Sequence, residues 1–356
     1  MKVAIIGGGN IGTLMAAELS SAGYEIAVYT SKPHLWSKEI EVYDAENTLL
    51  LKSHISMATD DLSTAVTGAE YVFVTVPAQL FGSTSEKLLP HLQKGTKLGI
   101  IPGSGGAEFA FLNLIEKGCI LFGFQRVHCI SRIKEYGKSV YSLGRKNELK
   151  LASIPKASVD SICEEIEHMF GIKTSPLKNY LSVTLTPSNP ILHTTRLYSM
   201  FKDYNADISY DKNTLFYEEW DDTSSDMLLA CDDELKMLCD TIPVELDEVV
   251  SLRKHYESAD SQKLTEKLKS IKAFRGILSP MKKCGDKFKP DFSSRYFVSD
   301  FSYGLKIIKD IAGLFSVETP NIDIVWKWYD SIQEKENQDH FVLKCSKEEF
   351  LNLYEI

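Results

Sequence analysis

The chain begins with the stretch Val3-Ala4-Ile5-Ile6-Gly7-Gly8-Gly9-Asn10-Ile11-Gly12, and a helical pattern follows over 13–22. An apolar strand that leads through G-x-G-x-x-G into a helix is typical of a dinucleotide-binding site, although glycines also cluster in ordinary turns. The first glycine allows the tight turn, the second lets backbone approach a pyrophosphate, and the third lets the helix pack on the strand. The helix N-terminus offers N–H groups to phosphates. We predict that the cofactor contacts Gly7, Gly9, Asn10, Ile11 and Gly12.

Strands and helices alternate through the first half of the chain. Apolar runs at 25–29, 71–76 and 97–101 are typical of strands, and the last two end at prolines. This alternation predicts an α/β fold with a parallel, doubly wound Rossmann sheet. Ligands bind such sheets at the carboxyl ends of the strands, so we expect the cofactor to contact Val76, Pro77 and Ala78, and the segment 101–106 to lie beside it.

The second half of the chain has a different pattern. Apolar residues recur at helical spacing over 223–241 and over 304–315. We therefore predict a Rossmann domain over residues 1–180 and a mainly α-helical domain over 181–356. A chain of 356 residues exceeds the size at which single cores stop growing, so two domains are the default.

Composition excludes several classes of partner. A net charge of −9 and a pI near 5.5 argue against nucleic acid or an anionic membrane. Seven cysteines without C-x-x-C spacing predict reduced thiols, a cytoplasmic location and no metal site. No apolar run is long enough for a membrane span or a signal peptide. Small-molecule substrates are therefore expected, and the oligomeric state stays open, with a homodimer among the options.

The end of the second predicted strand bears on the type of cofactor. NAD sites usually carry an Asp or Glu there to bind the ribose 2′-hydroxyl. This chain has Thr30, Ser31 and Lys32 instead. Two hydroxyls and an ammonium would hold a 2′-phosphate, which favours NADP. Lys32 could equally be a solvated loop residue, and NAD then remains an alternative.

Several short motifs occur in a collinear order. The chain has Asn189-Pro190-Ile191-Leu192-His193, then Leu215-Phe216-Tyr217, Phe274-Arg275-Gly276 and Arg295-Tyr296 with Asp300. Together with Arg132 to Gly137 in the first half, this order resembles the octopine/nopaline (opine) dehydrogenase family. The resemblance implies an NAD(P)H-dependent, reversible condensation of an L-amino acid with a 2-keto acid.

The resemblance also implies a catalytic set of His193, Arg295 and Asp300. Histidine can take and give a proton near neutral pH, as loss of water from a carbinolamine requires. Asp300 could fix the imidazole tautomer, and Arg295 could hold a substrate carboxylate. Taken alone, however, His193 fits a core histidine, and Arg295 with Asp300 could be a structural salt bridge.

Substrate identity depends on positions that depart from the family pattern. Ser104 stands where some members carry a glutamine, and Arg126 stands where a neutral hydroxyl is usual. We predict that Ser104, Arg126 and Asn189 contact substrate, and the added guanidinium suggests a second or larger acidic group. The acidic run 218–222 could bind a cationic side chain, but Thr223 with Asp226 fits a capping box, which favours a helix start.

Two other functions compete with this interpretation. One is an NADP-dependent 2-keto acid reductase of the dehydropantoate or hydroxyacid type, which typically uses lysine as its proton donor. The other is a non-catalytic NADP-binding sensor, which would have no use for a converging histidine, arginine and aspartate.

Overall fold

The computed structural model describes residues 1–333 and 340–355. Two compact units are formed, one by Met1–Thr184 with Leu351–Ile356 and the other by Leu185–Phe350. The division after Thr184 lies close to the predicted boundary at 180. The C-terminal residues from Leu351 belong to the first unit, which the sequence pattern did not predict.

The first unit contains most of the strands. They are β1 (Lys2–Ile6), β2 (Glu25–Tyr29), β3 (Glu39–Tyr43), β4 (Leu49–His54), β5 (Met57–Thr59), β6 (Tyr71–Val74), β7 (Lys97–Ile100), β8 (Ile120–Phe124), β9 (Cys129–Glu135), β10 (Ser139–Arg145), β11 (Glu148–Ile154) and β12 (Lys173–Pro176). Its helices are α1 (Asn10–Ser21), α2 (Leu62–Val66), α3 (Phe81–Leu88), α4 (Ala107–Ala110), α5 (Leu112–Glu116), α6 (Val159–Phe170) and α7 (Leu181–Thr184).

The main sheet has the order β12-β11-β8-β7-β6-β1-β2-β5. From β5 to β8 all neighbours are parallel, as predicted for a Rossmann domain. The prediction of a parallel sheet is wrong for β11 and β12, because β11 pairs antiparallel with β8. The chain between β8 and β11 forms the β9–β10 hairpin. A strand parallel to β8 would instead need a helical crossover as its connection.

A second sheet, in the order β4-β3-β10-β9, covers helix α1. The helix thus packs on β1 and β2 with one face and on the second sheet with another. This explains why residues 12–17 are all buried and why the helix lacks a polar stripe, since a helix covered on both sides must be apolar around its circumference.

The second unit is mainly helical. Its elements are α8 (Ser188–Phe201), α9 (Asp222–Thr241), α10 (Leu252–His255), α11 (Ser261–Ser270), β13 (Met281–Cys284), β14 (Lys287–Pro290), α12 (Arg295–Val298), α13 (Lys306–Phe315) and α14 (Pro320–Ile332), with α15 (Lys347–Glu355) leading back to the first unit. A π-helical turn, Phe301–Leu305, precedes α13. The α/β fold with a helical C-terminal part is thus confirmed.

Over 1–333 and 340–355, no helix combines the length and apolar character needed to cross a bilayer. Over the same ranges, no cluster of His, Cys, Asp and Glu has an arrangement that could hold a metal ion.

Candidate active site

The glycine-rich loop between β1 and α1 has room for a ligand. Gly7 has a φ of +118°, and a Cβ at Gly12 would lie 1.9 Å from the carbonyl oxygen of Gly7, so both positions need glycine. Within the described residues, no atom lies within 4 Å of a Cβ placed on Gly9, and no side chain caps the first turn of α1. The N-terminal N–H groups of α1 therefore face space that a pyrophosphate could fill. The side chain of Asn10 is already used, because its Oδ1 accepts from the Ile133 amide at 2.7 Å.

Two aromatic residues, Trp36 and Tyr136, lie beside the end of β2, and no role was predicted for either from the sequence. The Thr30 hydroxyl is buried and lies 2.7 Å from the Tyr136 hydroxyl. Trp36 packs edge to face on Tyr136, and a Cβ on Gly8 would meet the Trp36 ring at 2.7 Å. Ser31 and Lys32 are exposed, and the described chain gives the Lys32 ammonium no carboxylate partner. Lys32 is thus open to an anionic ligand.

The carboxyl ends of β6, β7 and β8 carry the remaining predicted contacts of the first unit. Residues 76–78 follow β6 and are partly or fully exposed, and Ser104 is half-buried in the loop after β7. Arg126 follows β8 and is half-buried. Loss of solvation and the positive charge of the Arg126 guanidinium lower the pKa of Lys146.

Glu108 is a fully buried carboxyl in α4 of the same unit. Its Oε1 accepts hydrogen bonds from the hydroxyls of Thr184 and Tyr354, at 2.8 Å for Tyr354, and its Oε2 has no partner in the described chain. Burial raises the pKa of this carboxyl to about 7, and the two hydroxyls oppose that shift. Glu108 thus links α4 to the C-terminal residues of the chain.

The second unit brings His193 and Asp300 together. His193 lies on α8, and its Nδ1 is 2.8 Å from Oδ2 of Asp300, which immediately precedes the π-helical turn. The side chain of His193 is 8% exposed and that of Asp300 is 10% exposed. An ionised carboxylate accepts only, so Nδ1 carries the proton and Nε2 is left as the acceptor of the neutral ring. The Tyr217 hydroxyl lies 3.0 Å from Nε2.

Arg295 does not pair with Asp300, so the alternative of a structural salt bridge between them is wrong. Arg295 is exposed at the start of α12, and its guanidinium carbon lies 5.8 Å from the centroid of the Tyr296 ring. No carboxylate in residues 1–333 or 340–355 forms an ion pair with it. Tyr296 in turn packs against His193, with 4.7 Å between ring centroids. Asn189 lies in the first turn of α8 and is half-buried.

The acidic run 218–222 has structural partners. Glu218 accepts from the Gly276 amide at 2.7 Å, and Glu219 pairs with Lys212 at 2.9 Å. Asp221 caps α9 by accepting from the Ser224 amide at 2.8 Å. A helix start was therefore predicted correctly here, but the capping residue is Asp221 and not Thr223, because α9 begins at Asp222, two residues before the start that a cap at Thr223 implies.

Comparisons with known proteins agree with this arrangement. A family model described as NAD/NADP octopine/nopaline dehydrogenase, alpha-helical domain, matches residues 176–333, and one described as NAD-dependent glycerol-3-phosphate dehydrogenase N-terminus matches residues 2–106. The chain is 27% identical to tauropine dehydrogenase from Arabella iricolor, over 93% of this chain and 91% of that protein. It is 26% identical to octopine dehydrogenase from Mizuhopecten yessoensis, over 92% of this chain and 89% of that protein.

A solved structure is also similar over most of the chain. It is octopine dehydrogenase with NADH and L-arginine, with a TM-score of 0.80 at 25% identity, covering 93% of this chain and 89% of the other. Sequence relatives and fold thus point the same way: the helical second half of the chain matches the octopine/nopaline dehydrogenase domain, and the chain is similar to opine dehydrogenases over most of its length.

Proposed function

We propose that this protein is an NAD(P)H-dependent oxidoreductase that joins the amino group of an L-amino acid to the carbonyl of a 2-keto acid and reduces the resulting imine, in a reversible reaction. The observation that carries the proposal is the hydrogen-bonded pair of His193 and Asp300 in a chain whose other unit has an open dinucleotide loop. The bound cofactor supplies the hydride.

His193 is the proposed general acid and base. Condensation passes through a carbinolamine, whose hydroxyl must be protonated before it leaves as water. With Nδ1 held by Asp300, the proton that is transferred belongs to Nε2. Asp300 stabilises the imidazolium because it places a negative charge 2.8 Å from Nδ1.

Both substrates carry a carboxylate, so at least two cationic groups are needed in an acidic protein. Arg295 is the proposed partner for one carboxylate, since it is exposed and has no ion pair in the described chain. Arg126 is the proposed cation for a second or larger acidic group. Ser104 and Asn189 are proposed to contact substrate through hydrogen bonds.

The proposed cofactor site consists of Gly7, Gly9, Asn10, Ile11 and Gly12, residues 30–32, and residues 76–78. The exposed ammonium of Lys32, which has no carboxylate partner among the described residues, favours NADPH over NADH, because a 2′-phosphate would gain an ionic contact there. The cysteines are all free thiols, which supports a cytoplasmic location as part of the proposal.

The test is an initial-rate assay of NADPH oxidation with a panel of 2-keto acids and L-amino acids. We expect consumption only when both are present. A 2-keto acid reductase would consume NADPH with the keto acid alone, and a sensor would consume none. Arg126→Thr should raise the KM for one substrate more than for the other, whereas an equal change in both would refute its assignment to a single substrate.

A further inference from the structure

Tyr217 is held rigidly beside the histidine. The residue is 5% exposed, and its ring stacks on Phe274 with 4.1 Å between centroids and 19° between planes. The Trp220 ring is also nearly parallel to it, at 10° and 6.1 Å. A large aromatic ring packed in this way cannot swing out without losing several stacking contacts.

The backbone around Tyr217 is tied to the helix that carries His193. Arg196 lies one turn after His193 on α8 and is 1% exposed. Its guanidinium donates to the carbonyl oxygens of Phe216 and Glu219, at 3.3 Å and 2.5 Å, so residues on both sides of Tyr217 are fixed to α8. The same buried group also pairs with Asp221.

A second set of hydrogen bonds joins residues 216–218 to residues 276–277, which overlap or adjoin the motifs 215–217 and 274–276, to which the proposed function gives no role. The Phe216 amide donates to the Ile277 carbonyl at 2.8 Å, and the Gly276 amide donates to Glu218 at 2.7 Å. These bonds place Phe274 against the Tyr217 ring. Residues of both motifs thus pack around Tyr217, whose hydroxyl lies 3.0 Å from Nε2 of His193.

A phenol can bond both protonation states of an imidazole. It donates to Nε2 when the ring is neutral, and it accepts from Nε2–H when the ring is charged. Because Nδ1 is occupied by Asp300, Nε2 is the nitrogen that must exchange a proton with substrate, and the Tyr217 oxygen already occupies its hydrogen-bonding position.

We propose, building on the proposed function, that the Tyr217 hydroxyl relays the proton between His193 and the substrate. In dehydration, the carbinolamine oxygen takes the phenolic proton while the phenolic oxygen accepts the proton from Nε2 of the imidazolium. The C–O bond breaks, water leaves with that electron pair, and the nitrogen lone pair forms the C=N bond. The phenol ends neutral, and His193 ends as the neutral ring.

The test is Tyr217→Phe, which keeps the ring and its stacking. We expect kcat to fall about 10²- to 10³-fold, as for loss of a proton-transfer group, while the KM values, NADPH affinity and Tm stay close to wild type. Tyr210→Phe, in the same unit, is the matched control and should leave kcat unchanged. A kcat for Tyr217→Phe within threefold of wild type would overturn the relay.

A double variant separates a relay from an independent contribution. Two groups that act in series give non-additive losses, so His193→Ala with Tyr217→Phe should be no slower than His193→Ala alone. Additive losses would contradict a relay. A wild type that is inactive with every pair of substrates would instead contradict the proposed function.

A readout that needs no turnover tests the contact itself. The ¹⁵N NMR signal of Nε2 in His193 should shift when the Tyr217 hydroxyl is removed, because a hydrogen-bond donor to that nitrogen is lost. An unchanged Nε2 signal in Tyr217→Phe would refute the relay even where the substrates are unknown.

Discussion

Replacing Asp300 by asparagine tests the electrostatic part of the site while keeping its shape. In the wild type, the Asp300 carboxylate accepts from Nδ1–H of His193 over 2.8 Å, and both side chains are almost fully buried. Asparagine is isosteric but neutral. If the asparagine NH₂ group faces Nδ1, the His193 ring must adopt the other tautomer. If the asparagine oxygen faces Nδ1, the tautomer is kept, but the imidazolium loses its counter-charge.

The expected fall in kcat for Asp300→Asn follows from the kind of hydrogen bond that the substitution weakens. A hydrogen bond to a charged group contributes about 1.5 to 3 kcal/mol, and in this buried pair solvent cannot replace it. When that stabilisation is lost from the charged imidazole in the transition state, kcat should fall about 10- to 150-fold. The loss should be smaller than for His193→Ala, because the proton-transfer group remains.

The assay compares kcat at saturating NADPH, keto acid and amino acid for wild type and Asp300→Asn, with NADPH affinity from fluorescence titration. Asp286→Asn, an exposed position in the β13–β14 turn, is the matched control and should behave as wild type. NADPH affinity should not change in either variant. A kcat of Asp300→Asn within twofold of wild type would refute the reasoning.

Three further predictions concern single residues. His193→Ala should lower kcat about 10²- to 10⁴-fold with intact NADPH binding, whereas the exposed control His91→Ala should not; near-normal activity with a reduced Tm would instead favour a structural histidine. Lys32→Ala should weaken NADPH binding about tenfold without affecting NADH, and Lys38→Ala should change neither; equal wild-type affinities for the two cofactors would contradict this. Burial raises the pKa of the Glu108 carboxyl from 4.5, its ordinary value, to about 7 in the folded protein. The contribution of this group to the free energy of unfolding is therefore full below pH 4.5 and is lost, by roughly 3 kcal/mol, as the pH rises through 7. Thermal unfolding of Glu108→Gln should show a weaker fall in stability over that pH range, and an unchanged pH dependence would exclude Glu108 as its source.

The Rossmann half was predictable because its signals are local. Gly7 predicts a tight turn and Gly12 predicts a close packing contact, and few other residues permit either feature. The structure contains both. The antiparallel β11 was missed because strand direction depends on the intervening connection, and not on the strand's own residues. The second sheet was missed for a related reason, since β3 and β10 pair across almost a hundred residues of sequence.

The site was predictable only in part. The pairing of His193 with Asp300 was expected from the resemblance alone, because the two residues are far apart in the sequence and spacing does not predict such a contact. Tyr217 was quoted within a motif without a role, because its contact with Nε2 depends on Arg196 and Phe274. Trp36 was missed near the glycine loop and Tyr136 was quoted within a motif without a role, because neither belongs to the glycine motif.

The most direct test of the central claim is to follow the hydride into the product. The enzyme is supplied with NADPH deuterated at the transferable position, a 2-keto acid and a ¹⁵N-labelled L-amino acid, and the product is analysed by mass spectrometry and NMR. We predict a secondary amine dicarboxylate that retains the ¹⁵N and carries deuterium on the carbon that was the keto carbonyl. A deuterated 2-hydroxy acid without nitrogen as the only product would contradict the account and establish a keto acid reductase instead.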